Sequence, residues 1–265
     1  MLDGSVRVLA GGRGVCTPDW GRDETVPFHL VRLYFPVSGT AWMEREGVRV
    51  RFRPDWIYLI PGDRPVRSGC DREMVVDWLH TELSGAVFGS VPYRLGGVYS
   101  WNGKAMRTWR STYRSIQRIV SNPKPAATAR LISMVMALYA KALEQRGAGI
   151  PTSRETGLIE RIGPAVEYMD NHDTANPSLA EVAASVHLSA EHFHRIFSEV
   201  YGQTPYYYML SRRMRIAMRY LTTTDLSIGQ VGVSCGYDNP FYFSRAFKRY
   251  FGVSPSTARR GEYRL

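Results

Sequence analysis

The sequence predicts an α+β chain: an N-terminal antiparallel β-barrel followed by two helices, then an all-α domain. Three observations carry that expectation. Short β-branched and aromatic runs separated by turn residues fill the first hundred positions. After Ser100 the apolar period lengthens to three and four residues. Beyond Gly147-Ala-Gly-Ile-Pro-Thr, a natural linker, every segment reads as helical. A length of 265 residues favours two domains, expected at 1–150 and 151–265.

The β elements follow in order. His29–Phe35 is a strand, and Thr40–Glu44 precedes a turn at Glu46-Gly47. In Gly47–Arg53, Val48, Val50 and Phe52 alternate with Arg49, Arg51 and Arg53, the period of a half-buried strand. Trp56–Ile60 and Met74–Leu83 complete the set, punctuated by Pro-Gly-Asp at 61–63 and Ser-Gly at 68–69. Closely spaced short strands suit a small barrel or sandwich. In the next segment Met106, Trp109, Tyr113, Ile116 and Val120 form one apolar stripe, while Lys104, Arg107, Arg110, Arg114 and Arg118 take other faces. Ser121-Asn-Pro-Lys-Pro ends that helix, and Thr128 to Gln145 forms a second, more apolar one. The Met106–Val120 stripe is the expected homodimer surface, with the barrel as its competing partner.

Composition sets the outer bounds. A hydrophobic share of 44% with 12% aromatics is enough for ordinary cores. No apolar run approaches the roughly 20 residues that span a bilayer, so no membrane partner is expected. Met-Leu-Asp-Gly-Ser lacks a charged-then-apolar leader, which points to the cytoplasm. Cys16, Cys70 and Cys235 are far apart and form no C-x-x-C pair, so neither a zinc site nor a disulfide framework is expected. The net charge of +10 favours a polyanionic partner. Residues 1–150 hold 21 basic against 13 acidic side chains, and residues 151–265 hold 13 against 11. Within the second set, Ser189 to Leu265 carries 11 against 5, so positive charge is concentrated at the C-terminal end of that half.

The last ninety residues contain two like patterns. Leu179, Val182, Ala183 and Val186 mark a short helix, with small Ala183 where two helices must approach. His187-Leu188 makes a turn, and Ser189 caps a second helix with Phe193, Ile196, Phe197 and Val200 inward and Gly202 at its end. Glu191 in its first turn suits the positive end of the helix dipole. About fifty residues later Ile228, Val231 and Gly232 replay the first helix, and Cys235-Gly236-Tyr237 the turn. Asn239 is then the cap, Pro240 the first helical residue, and Phe243, Ala246, Phe247 and Tyr250 the inner face, with Gly252 at the exit. Between the units Pro205 to Leu221 forms a helix bearing Arg212, Arg213, Arg215 and Arg219.

These residues resemble the two halves of an AraC/XylS-family DNA-binding domain, a pair of helix-turn-helix units. The densest match is Cys235-Gly-Tyr-Asp-Asn-Pro-Phe-Tyr-Phe-Ser-Arg-Ala-Phe-Lys-Arg-Tyr-Phe-Gly-Val-Ser-Pro, and the similarity spans about residues 158–260. Residues 27–85 more loosely resemble the cupin-like sensor barrel of that family, notably Tyr58-Leu-Ile-Pro and Trp78-Leu-His. One departure is that Ala258-Arg259 stands where the family has Tyr-Arg. The resemblance implies a transcription regulator, more often an activator, with double-stranded DNA and RNA polymerase as partners and no enzymatic activity.

A helix fits the major groove and reads base edges from its outer N-terminal face. In the first unit that face carries Glu191, His194 and Arg195, and family similarity places base readers there. The corresponding positions of the second unit are Pro240, Phe241, Ser244 and Arg245; two are apolar, which suits thymine methyls and shape. Ser189, Arg212, Arg213, Lys248 and Arg249 are expected at phosphates, which fix register without reading sequence. The alternative for the linking-helix arginines is a solvated helix face.

For the barrel the choice is sensor or enzyme. Cupin-type metalloenzymes, isomerases or dioxygenases, present a His-x-His pair with a nearby Glu and a later His. Residues 1–150 hold His29 and His80, without that spacing, so no metal, cofactor or catalytic residue is expected. DNA repair, which needs a reactive cysteine cluster, is disfavoured by the scattered cysteines. A small-molecule sensor is left, with Arg32, Trp42, Trp56, Trp78, His80 and Glu82 as candidate ligand residues in a mixture that suits a sugar-like effector. Alternation sets Trp78, His80 and Glu82 on one side of their strand and Val75, Asp77, Leu79 and Thr81 on the other.

Overall fold

A computed structural model describes residues 5–20, 22–23, 30–62, 64–84, 95–103, 107–146, 153–172 and 176–260. His29, Asp63, Lys104, Met106 and the linker at 147–152 lie outside the described residues, as do the side chains of Arg107 and Trp109. The chain divides into two compact units, Met1–Arg154 and Glu155–Leu265.

Among the described residues the first unit holds nine strands: β1 (Ser5–Cys16), β2 (Arg22–Asp23), β3 (Val31–Gly39), β4 (Trp42–Arg45), β5 (Val48–Arg51), β6 (Trp56–Pro61), β7 (Arg67–Gly69), β8 (Met74–Ser84) and β9 (Tyr99–Asn102). They make a five-stranded sheet in the order β1-β8-β3-β6-β9 and a four-stranded sheet in the order β2-β7-β4-β5, with antiparallel pairing throughout. Three helices follow: α1 (Arg107–Tyr113), α2 (Ile116–Ser121) and α3 (Pro125–Arg146).

The β4–β5 hairpin turns at Glu46-Gly47, whose φ angles of 49° and 80° are those of a tight two-residue turn. Beyond it the alternation holds only in part, because Val48 beside the turn is 66% exposed while Phe52 is fully buried. Both faces of the five-stranded sheet are covered. One packs Val31, Leu33, Phe35, Ile57, Leu59 and Leu79 against Tyr113, Ile116, Leu131, Met134 and Leu138 of the helices. The other turns Tyr34, Tyr58, Ile60 and Val76 toward Met43, Phe52, Val66 and Cys70 of the second sheet and its loops. β8 is therefore buried on both sides: Thr81 exchanges a 2.8 Å hydrogen bond with Tyr139 of α3, and His80 lies edge-on to Tyr34.

Two expectations are corrected. The single helix expected over 106–120 is two, broken around Ser115, although no glycine or proline announces the break. The break lets Tyr113 stack on Phe35 at 4.9 Å while Ile116 lies against Gly11 of β1. Tyr113 and Ile116 are buried and Val120 packs on the same core, so the protein's own sheet consumes the described part of the stripe proposed for dimerisation. Secondly, β1, β2, β7 and β9 are strands that the sequence reading did not single out: β2 and β7 are only two and three residues long, and β9 alternates Tyr99 and Trp101 with Ser100 and Asn102 over only four. β1 contains Gly11, Gly12 and Gly14 and a register shift between Val8 and Ala10, which together erase the alternation. α3 has the length and apolar content that would suit a bilayer, but its Leu131–Met134–Leu138–Ala142 stripe packs as a core helix does.

Among the described residues the second unit is all helical: α4 (Ser153–Asn171), α5 (Leu179–Ala184), α6 (Ala190–Tyr201), α7 (Pro205–Thr223), α8 (Ile228–Ser234), α9 (Pro240–Phe251) and α10 (Pro255–Arg259). Capping chemistry sets the starts. Ser178 and Ser227 close reciprocal capping boxes with Glu181 and Gln230, and Ser189, Thr204, Asn239 and Ser254 each accept a backbone N–H of the following turn. α6 and α9 both end on a glycine in the left-handed region, Gly202 and Gly252. Where the family's Tyr-Arg is replaced, Ala258 is buried and Arg259 donates to the Leu226 carbonyl, so α10 still packs.

Candidate nucleic-acid interface

α5 and α6, and again α8 and α9, are short helix pairs in which the second helix buries one face and shows the other. Phe193, Ile196, Phe197 and Tyr201 of α6 are buried, as are Phe243, Phe247 and Tyr250 of α9. Ala183 and Gly232 sit at the crossings; a Cβ on Gly232 would lie 3.2 Å from Phe243, so nothing larger fits without a shift. Each turn needs one left-handed residue, supplied by His187 (φ 54°) in the first unit and by Gly236 (φ 77°) in the second.

The two exposed helix faces correspond at an offset of fifty residues. Glu191 matches Phe241, His194 matches Ser244, Arg195 matches Arg245, Ser198 matches Lys248 and Glu199 matches Arg249. Glu191, His194, Arg195, Pro240, Phe241 and Arg245 are exposed and Ser244 is half-buried. The matched positions differ in charge. The first face holds two carboxylates, and Glu199 lies 3.9 Å from Arg195 across one helical turn. The second face holds Arg245, Lys248 and Arg249, all exposed, and α9 contains no acidic residue. Ser189 is exposed, with its hydroxyl accepting from the His192 N–H.

The phosphate reading of Arg212 and Arg213 does not fit their placement. Both are buried. Arg212 pairs with Asp170 at 3.0 Å, beside Tyr208, whose hydroxyl donates to the same carboxylate oxygen at 2.8 Å. Burial is the first cause of the rise in Tyr208's pKa well above that of an ordinary phenol, with Asp170 the second. Arg213 lies over the Tyr237 ring at 5.4 Å, tying α7 to the turn of the second unit. The period-3.6 pattern of α7 marked neither arginine as inward, and nothing in the sequence flags Asp170 as a partner 42 residues away. Exposed residues that the sequence reading passed over are Tyr242 and Val233, each 65% exposed, and Glu199. The fifty-residue offset is the signal that finds Glu199, as the counterpart of Arg249.

In the first unit, register brings five of the six candidate ligand residues to one face of the five-stranded sheet. Arg32 pairs with His80 and Tyr34 with Trp78 across β3 and β8. Trp56, two positions before the inward-facing Tyr58, packs at the margin of the inter-sheet core. Arg32, His80 and Glu82 are buried, and the Trp78 and His80 rings lie 4.8 Å apart. Trp42 departs from the group. Its neighbour Met43 points into the core, and its own ring lies under Arg49, 4.0 Å from the guanidinium carbon, on the outer face of the four-stranded sheet.

The fold also brings together two cysteines that are 54 positions apart. The Cys70 thiol donates to the Cys16 carbonyl at 3.3 Å, and both residues are buried. Burial first, and Cys70 second, pushes the Cys16 thiol up to about 12, the opposite of what a reactive thiolate requires.

Residues 182–261 match a family model described as a helix-turn-helix domain. The MmsAB operon regulatory protein of Pseudomonas aeruginosa is 37% identical over 93 residues, 35% of this chain and 30% of that protein. The arabinose operon regulatory protein of Escherichia coli is 32% identical over 125 residues, 47% of this chain and 43% of that protein. This chain therefore spans less than half the length of both relatives. A likeness of fold extends further. ToxT of Vibrio cholerae, solved with an unsaturated fatty acid bound, aligns over 98% of this chain and 95% of its own with a TM-score of 0.62 at 14% identity. The paired units, their caps and the matched relatives agree: residues 182–261 form a helix-turn-helix domain similar to those of AraC-type regulators such as the arabinose operon regulatory protein.

Proposed function

We propose that this protein is a sequence-specific DNA-binding transcription regulator whose grip on DNA responds to a small molecule held in its N-terminal unit. The observation that carries this reading is the doubled helix pair, with Arg195 and Arg245 on corresponding exposed faces and the opposite faces sealed in the core. α6 and α9 enter the major groove about one helical turn apart, so one chain reads a bipartite site. Glu191, His194 and Arg195 read bases in one half; Pro240, Phe241, Ser244 and Arg245 face the other. Lys248 and Arg249, with the Ser189 region, meet phosphates. Binding of purified protein to duplexes selected from a random pool tests the reading. Arg195→Ala relaxes preference at one or two positions, whereas Lys248→Ala weakens all sequences alike. An Arg195→Ala variant that lost affinity evenly across base-substituted sites would refute the assignment.

The effector site lies on the inner face of the five-stranded sheet, around Arg32, Trp78, His80 and Glu82. Buried charge among aromatic rings supports an effector with polar groups and an apolar body; a sugar is our first candidate, and the ligand named for ToxT makes a fatty acid the second. The protein works in the cytoplasm at the nucleoid, recruits RNA polymerase and acts as a homodimer. With the Tyr113–Ile116 stripe consumed, the outer side of α3 is the surface we assign to the partner copy. Half-buried Ile132 there is flanked by exposed Ala129 and Ala140. DNA affinity that no sugar and no fatty acid changes would remove the effector from this reading.

A further inference from the structure

Phe241 is 80% exposed, more than any other large hydrophobic residue among those described. It is not spare core, because Phe243 and Phe247 already fill the inner side of α9. Its place is the outer face, one helical turn before Arg245 and two before Lys248, and its counterpart in the first unit is the carboxylate of Glu191. A phenyl ring neither donates nor accepts a hydrogen bond, so it cannot read the polar edge of a base. The major groove offers one apolar feature, the 5-methyl group of thymine. The same face carries Arg245, Lys248 and Arg249 with no acidic residue in the helix, a charge that suits a polyanion surrounding that methyl.

We propose that Phe241 is a thymine-methyl reader, which makes the second half of the DNA site thymine-bearing and read by apolar contact, while the first half is read by hydrogen bonds. The two halves of the site are unlike even though the two helix pairs share one architecture. Loss of a buried methyl corresponds to about a three- to fivefold change in affinity.

This inference rests on the DNA-binding reading above, and its test separates the two. Sites are selected from a random duplex pool with the full chain, and the half read by α6 is identified as the one whose preference relaxes in Arg195→Ala. Thymidines are then replaced by deoxyuridine in each half in turn, which removes the methyl and keeps every hydrogen-bonding group. The expected result is about a three- to fivefold loss of wild-type affinity per contacted thymine in the α9 half. Phe241→Ala should bind the thymidine and deoxyuridine duplexes equally, with an unchanged melting midpoint because the ring is exposed. Phe241→Leu should keep part of the discrimination. Wild-type affinity indifferent to the methyls, or a Phe241→Ala variant that still discriminates, overturns the inference and assigns the exposed ring to a protein partner instead. A pool that yields no preferred sequence overturns the DNA-binding reading itself, and this inference with it.

Discussion

Arginine is used in two ways in the helical unit, and burial separates them. Arg212 is paired to Asp170 inside the unit, whereas Arg249 is exposed on the recognition helix of the second pair. Removing one partner of a buried pair strands the other charge, so Arg212→Ala should lower stability by ~3 kcal/mol. Its DNA affinity, measured well below the melting transition, should stay near wild type. Arg249→Ala should do the reverse, with an unchanged midpoint in urea and weaker binding to every duplex. Lys248→Ala should in addition flatten the plot of log affinity against log salt by about 0.9, the signature of one lost phosphate contact. A third residue tests the turn. His187 holds a left-handed conformation that glycine adopts freely, so His187→Gly should stabilise by about 0.5 kcal/mol once the entropy of the more flexible unfolded chain is deducted. A loss of stability in urea melts would show that the His187 side chain contributes something more.

Helices were far more legible than strands at the level of elements. Ser178, Ser189, Asn239, Gly202 and Gly252 signal starts and stops by local chemistry that acts within one turn, and each cap forms where its residue type predicts. Strand β1 is specified by its partner β8 along its whole length and by nothing in its own glycine-rich sequence. The break at Ser115 is likewise a tertiary effect, set by Phe35 and Gly11 of the sheet beneath it. The helix faces followed the same rule: the exposure of Glu191, His194, Arg195 and Arg245 could be placed from helix period and offset, while the inward turn of Arg212 depended on an aspartate in a different helix. Local capping gives its own test. Ser178→Ala and Ser227→Ala should each cost about 1 kcal/mol, since each removes one side of a capping box. Glu181 is held below the usual carboxylate range by the Ser178 hydroxyl and N–H. Its capping contribution is therefore complete above the ordinary glutamate range and fades as pH falls through the lowered value. The gap between the thermal melts of Ser178→Ala and wild type should narrow at acid pH without closing, because the Ser178 hydroxyl still accepts the Glu181 N–H when the carboxyl is protonated.

At the scale of the whole molecule, a β unit with polar groups buried between its sheets is joined in one chain to a unit with two exposed helix faces of unlike charge. The charge is unevenly shared. The second recognition helix carries three exposed cations and no acid, the first carries Arg195 beside Glu199. The second pair should therefore supply most of the salt-dependent affinity and the first most of the hydrogen-bonded selectivity. Both depend on α6 and α9 meeting the same side of one duplex, held by a shared core. The most direct measurement is a spacing series on the selected site, with binding followed as base pairs are inserted between its halves. Five inserted base pairs turn one half to the far side of the helix, and affinity should then fall to that of a duplex carrying a single half. Undiminished affinity at that spacing would mean that the two helices do not read the groove together from one rigid support, and the account would be wrong.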